Sequence, residues 1–267
     1  MKVPLSIRVL PAVTWKAWLT PPPLGTRTRL RDDDDTRLHR RILVAGAEAL
    51  EIGDGPVVVA VHGWGGRPAQ MVPLADRLAD AGFRVVIPTL PGHAGGASTD
   101  VKQVADAIRA VVGELEPVAV VGHSFAGITL RLAFLESGPP FVVLLAPLVQ
   151  VRDAVRVFAG RLRLLPWART SLLRRLARWD PSLWPIVDGP GIDQYPGAEL
   201  LVLHDPDDAE TPFAASATMA VRRPRTEIIP VSGVGHAGIL SEHSVVETVA
   251  GHVKAKVALD PSLTIPG

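Results

Sequence analysis

From residue 57 onward the chain alternates between short apolar runs and stretches of helical spacing, and this alternation limits the fold more than any other feature. Val57–Val61 is a near-continuous β-branched run, as a parallel strand covered on both faces requires. Over residues 68–81, Met71, Leu74 and Leu78 recur at helical spacing, and Gly82 is placed to end that helix. Residues 84–90 read as the next strand and Val101–Leu115 as the next helix. The pattern continues with a strand over 118–121, a helix over 124–136 and the strand Phe141–Leu145. It resumes with Glu199–His204, a helix over 213–221 and Thr226–Pro230, and ends in a helix over 245–259. Short connections between such elements predict an α/β fold, a mostly parallel sheet with helices on both faces. Ligands in such sheets sit beyond the carboxyl ends of the strands.

Two segments depart from this rhythm. Residues 1–38 form an N-terminal extension in which Trp15 and Trp18 could anchor a short turn, and the aspartate run 32–35 reads as a solvated loop. Residues 40–52 suggest one or two antiparallel strands joined near Gly46. The second departure, residues 150–190, divides the core into a first part (39–149) and a second (191–267). It carries apolar positions at helical spacing, eight arginines, and Trp167, Trp179 and Trp184. An insert of this length predicts a helical lid that roofs a site and excludes water. Phe158 and the three tryptophans, with Trp64 and His93, are the candidate pocket walls.

Composition removes several function classes. The net charge of +1 gives no bulk electrostatic case for nucleic acid or an anionic membrane. The absence of cysteine excludes disulfides, thiolate nucleophiles and cysteine-ligated metals. No apolar run approaches the roughly 18 residues of a membrane span. Arg8 and Lys16 interrupt the N-terminal apolar stretch, a poor fit to a secretory signal, so a cytoplasmic location is expected. No cofactor is called for, since neither a Walker-type nor a dinucleotide-type glycine loop follows any strand.

The chemistry gathers at strand ends. Ser124 follows an apolar run and lies between Gly122 and Gly127, with Ala126 where the pattern G-x-S-x-G has its second glycine. A serine needs an imidazole to take its proton, and the imidazole needs a carboxylate to fix its tautomer. Among the eight histidines, His236 stands in a glycine-rich loop between a strand and a helix. The acidic loop after 199–204 offers Asp205, Asp207, Asp208 and Glu210; mutual cost predicts that most of them face water. Asp208, four residues before Pro212, is the favoured acid and Asp207 the next. The order Ser124, Asp208, His236 fits a serine triad on a parallel sheet. The amides of Phe125 and of Trp64, in the loop His62-Gly-Trp-Gly-Gly66, are candidates for an oxyanion hole.

With these residues in hand, the chain resembles the α/β-hydrolase superfamily, of the serine esterase, lipase and peroxidase-like type. The matching pieces are His62-Gly-Trp-Gly, residues 91–98, the Ser124 motif, Asp208 with Thr211-Pro212, and Gly235-His236. The resemblance implies an eight-stranded, mostly parallel sheet with a cap entering after the sixth strand. It also implies Ser124 as nucleophile, Asp208 as acid, His236 as base, and Trp64 and Phe125 as oxyanion donors. The expected substrate is a small to medium apolar carboxylic ester or thioester, with water as second reactant. A carbon–carbon bond or lactone hydrolase, a cofactor-free perhydrolase and a non-catalytic binding protein are alternatives on the same residues. A haloalkane dehalogenase is disfavoured, since it needs a carboxylate where Ser124 stands.

Overall fold

A computed structural model describes residues 39–93, 98–189, 191 and 194–259, together with Pro21. The readings made above for Trp15, Trp18 and the aspartates 32–35 lie outside these residues.

Eight strands form one sheet: β1 (His39–Val44), β2 (Ala47–Ile52), β3 (Val57–Val61), β4 (Arg84–Pro88), β5 (Ala119–His123), β6 (Phe141–Leu145), β7 (Glu199–His204) and β8 (Thr226–Pro230). Their spatial order is β1-β2-β4-β3-β5-β6-β7-β8. The pairs β1–β2 and β2–β4 are antiparallel, and every later pair is parallel. β5 is therefore central, and its carboxyl end meets those of β3 and β6.

The β-branched runs are buried on both sides, as their sequence demands. Val58 and Ala60 pack on one face with α1 (Val72–Asp80) and α9 (His243–Leu259). Val59 and Val61 pack on the other with α2 (Val101–Leu115), α3 (Ala126–Ala133) and Met219 of α7 (Phe213–Arg222). Asp100 caps α2, accepting from the amides of Lys102 and Gln103 at 2.9 Å each. The helix expected over 68–81 is split into a 3₁₀ turn, Pro68–Met71, followed by α1. Pro73 explains the division: it has no N–H to donate and is tolerated only in a first helical turn.

The insert between β6 and β7 contains α4 (Val151–Arg161), α5 (Pro166–Trp179) and α6 (Trp184–Asp188). Asp188, 4% exposed, fastens its two ends together. It accepts from the backbone amide of Arg152 at 2.9 Å and from the Arg152 guanidinium at 3.0 Å. Val155, Leu172 and Val187 join the core on the α3 face. A single turn, α8 (Gly235–Gly238), follows β8.

Candidate active site

At the end of β5 the backbone turns sharply into α3, and Ser124 sits at that turn with φ of +58°. A non-glycine residue in the left-handed region stores strain, and the surroundings must hold it there. Here the Ser124 amide donates to the Leu145 carbonyl at 3.0 Å, while its carbonyl accepts from Leu148 at 2.8 Å and Gly127 at 2.9 Å. The flanking small residues are sterically required. A Cβ at Gly122 would stand 2.5 Å from Leu130 Cδ1, and one at Gly127 would stand 2.7 Å from the Leu148 carbonyl oxygen. Ala126, where the pattern has glycine, is accommodated fully buried.

Three strand ends converge on this serine. The Ser124 hydroxyl donates to His236 Nε2 at 2.9 Å, and His236 Nδ1 donates to Asp208 Oδ2 at 2.8 Å. His236 comes from α8 and Asp208 from the loop after β7, so the chain of bonds spans 112 residues of sequence. The Asp208 carboxylate is fully buried, and its oxygens are well supplied with donors. Oδ1 accepts from the amides of Glu210 at 2.7 Å and Thr211 at 3.0 Å, and Oδ2 accepts from the Thr211 hydroxyl at 2.8 Å. Burial alone would raise the Asp208 pKa. Interactions with His204 and His236 and the Thr211 amide outweigh burial and hold it below the usual carboxylate range. His236 has the better geometry of the two rings, since His204 Nε2 stands 3.5 Å away.

The expectation that most of the acidic loop faces water needs a correction. Two of its four carboxylates are buried, Asp208 and also Asp205, which is 2% exposed. Each is buried with its own amide donors, which removes the mutual cost. Asp205 accepts from Gly235 at 2.7 Å and Asp207 at 3.0 Å, and these bonds lower its pKa. Asp205 thereby ties the acid-bearing loop to the loop that carries His236. Nothing local in the sequence marks it; only the tertiary approach of Gly235 does.

The role of His123 likewise has no local mark in the sequence. The ring is buried, and its Nε2 donates to the His236 carbonyl at 2.9 Å. Burial lowers its pKa from 6.5 to about 4, reinforced by neighbouring His236, so the ring is neutral at pH 7. His62, at the end of β3, is lowered further, to about 3, again by burial, and its Nδ1 donates to the Gly63 carbonyl at 3.0 Å. Two neutral imidazoles therefore flank Ser124.

The loop after β3 passes close above Ser124: a Cβ at Gly63 would stand 3.0 Å from the Ser124 Cβ. Trp64 and Phe125 pack ring on ring with centroids 5.0 Å apart, and His93 meets Trp64 edge-on at 5.2 Å. These three candidates are brought together beside the serine. Phe158 and Trp184 are half-buried and pack on the core from the insert. Trp167 does not follow them: it is 56% exposed. Leu172 takes the inner face of α5, and five residues at 100° each place Trp167 on the far side. Trp179 is 41% exposed at the end of the same helix. At the rim, Arg161 of α4 pairs with Glu210 at 2.6 Å, and Glu210 Oε2 lies 4.0 Å from His236 Nε2. The insert thus reaches the edge of the serine–histidine pair.

Such an arrangement can move a proton from a hydroxyl to an imidazole whose other nitrogen is pinned by an ionised carboxylate. A model of the alpha/beta hydrolase family matches residues 58–250. The chain is similar to a pimeloyl-[acyl-carrier protein] methyl ester esterase from Xanthomonas campestris, with 28% identity over 231 residues, 71% of this chain and 91% of that protein. It is also similar to a thermostable monoacylglycerol lipase from Bacillus, with 46% identity over 52 residues, 19% of this chain and only 21% of the lipase. Among solved structures, Est1E from Butyrivibrio proteoclasticus shares the fold with a TM-score of 0.60 at 16% identity, covering 83% of this chain and 99% of that one.

Proposed function

The chain belongs to the α/β-hydrolase family, and we propose that it is a serine hydrolase of small to medium apolar carboxylic esters or thioesters. The observation that carries this reading is the unbroken chain of hydrogen bonds from Ser124 Oγ through His236 to the buried Asp208. Because Nδ1 of His236 donates to Asp208, the Nε2 lone pair is the one that faces the serine hydroxyl. His236 takes the Ser124 proton as Oγ attacks the carbonyl carbon. The amides of Trp64 and Phe125 receive the developing oxyanion, in a loop and helix start already in contact. His236 then protonates the departing alcohol or thiol. Water, activated by the same imidazole, clears the acyl-enzyme and restores Ser124.

The names of the relatives, a methyl ester esterase and a monoacylglycerol lipase, support an ester over an amide. We assign the helices of residues 150–190 the role of cap, supported by the Arg161–Glu210 contact at the site's rim. Phe158 and Trp184 then supply apolar wall, together with Trp64 and His93. The test is turnover of p-nitrophenyl esters of graded acyl length by the wild type and by Ser124→Ala. The expected result is hydrolysis with a chain-length optimum in the wild type and none above background in the variant. Equal turnover in the two proteins refutes the nucleophile, and no turnover of any ester by the wild type favours a binding protein on this fold.

A further inference from the structure

The net charge of +1 conceals a sharp segregation. Residues 154–179 contain seven arginines (156, 161, 163, 169, 174, 175 and 178) and no carboxylate, so +1 for the whole chain leaves −6 for the remainder. Arg161 is engaged by Glu210, and Arg156 stands 3.9 Å from Asp153. Arg163, Arg174 and Arg178 are exposed, and no hydrogen bond or ion pair joins their guanidinium groups to any described residue.

Apolar groups are exposed on the same ground. Leu162 (41%), Leu165 (39%), Trp167 (56%) and Trp179 (41%) are four of the seven large hydrophobic residues exposed among the described residues. Trp167, Arg174 and Arg178 are spaced i, i+7 and i+11, which puts them on one stripe of α5 opposite Leu172. Leu162, Arg163 and Leu165 lie in the turn that leads into that stripe.

We propose that this outer face of the insert docks on an anionic lipid surface. A partner for it must offer negative charge and apolar depth over one footprint. A bilayer interface offers both: phosphates for the guanidinium groups, and the headgroup–acyl boundary for tryptophan and leucine. Nucleic acid offers the charge without the apolar depth. No helix among the described residues is long and apolar enough to cross a membrane, so the contact is peripheral. Bulk charge misses such a face because the opposing −6 lies elsewhere on the chain. The inference stands apart from the chemistry at Ser124, since none of these side chains touches the serine, Asp208 or His236.

Co-sedimentation of the full chain with vesicles tests it, using phosphatidylcholine alone and an equimolar mixture with phosphatidylglycerol. The wild type is expected to bind the mixed vesicles, to ignore phosphatidylcholine, and to be released as salt is raised. Neutralising three arginines in R163Q/R174Q/R178Q should weaken binding by roughly a hundredfold, about fivefold per charge. Trp167→Ala should weaken it while leaving its salt dependence in place. Turnover of a soluble ester by the arginine variant should equal that of the wild type, which separates a docking defect from a catalytic one. Equal binding to the two vesicle types, undiminished binding of the arginine variant, or binding to duplex DNA or an acidic protein with none to vesicles would overturn the proposal.

Discussion

Acid should loosen this protein through the two neutral imidazoles beside Ser124. His62 and His123 have folded pKa values of about 3 and about 4, against 6.5 for a free imidazole. Below pH 6.5 the unfolded chain therefore binds protons that the folded chain refuses, and stability must fall as pH falls. At pH 5 each histidine costs about 2 kcal/mol relative to neutral pH, so the pair costs about 4 kcal/mol. That is a large share of the 5–15 kcal/mol typical of a domain. Near pH 5 the slope should approach two protons, or about 3 kcal/mol per pH unit. His93, also lowered by burial, adds in the same direction. His123→Gln keeps a donor for the His236 carbonyl and removes one titrating group, so its slope should be smaller by about one proton. Urea unfolding at a series of pH values from 7 to 4.5 measures both slopes, and groups common to the two proteins cancel in the difference. Equal slopes would refute the claim that His123 is held neutral.

Asp208→Asn should lower kcat for a p-nitrophenyl ester by about 10⁴-fold with little change in KM, because the amide no longer pins Nδ1–H of His236. Steady-state kinetics checks this, and a loss confined to KM would contradict the role. Gly122→Ala should destabilise by about 1–3 kcal/mol through overpacking, since its Cβ meets Leu130 Cδ1 at 2.5 Å and Ala126 Cβ at 2.9 Å. Thermal unfolding reads that loss, and an unchanged midpoint would show that α3 can shift away from β5.

The elements most legible in the sequence are those whose signal is local. Val57–Val61 and Phe141–Leu145 are buried on both faces, and an unbroken apolar run requires just that. Ser124 could be singled out because a strained turn forces small residues on either side of it. A hydrophobic period starts the helix too early, at residue 68, because it does not register that Pro73 must sit in a first turn. The roles of Asp205 and His123 are illegible for another reason: their partners, Gly235 and His236, are distant in sequence and meet them only after β7, β8 and β5 align. Residue type alone points Trp167 to a pocket, whereas its helix phase relative to Leu172 turns it outward. Helix phase inside an insert is fixed by what the insert packs on, which its own sequence does not contain.

The central claim is that Ser124 is an activated nucleophile, and a fluorophosphonate probe tests it most directly. An ordinary serine hydroxyl does not react with such a probe, whereas one hydrogen-bonded to an imidazole backed by a buried carboxylate does. Intact-protein mass spectrometry should show a single adduct, peptide mapping should place it on Ser124, and Ser124→Ala should take none. A wild type that stays unlabelled, or a variant labelled as fully as the wild type, would contradict the account.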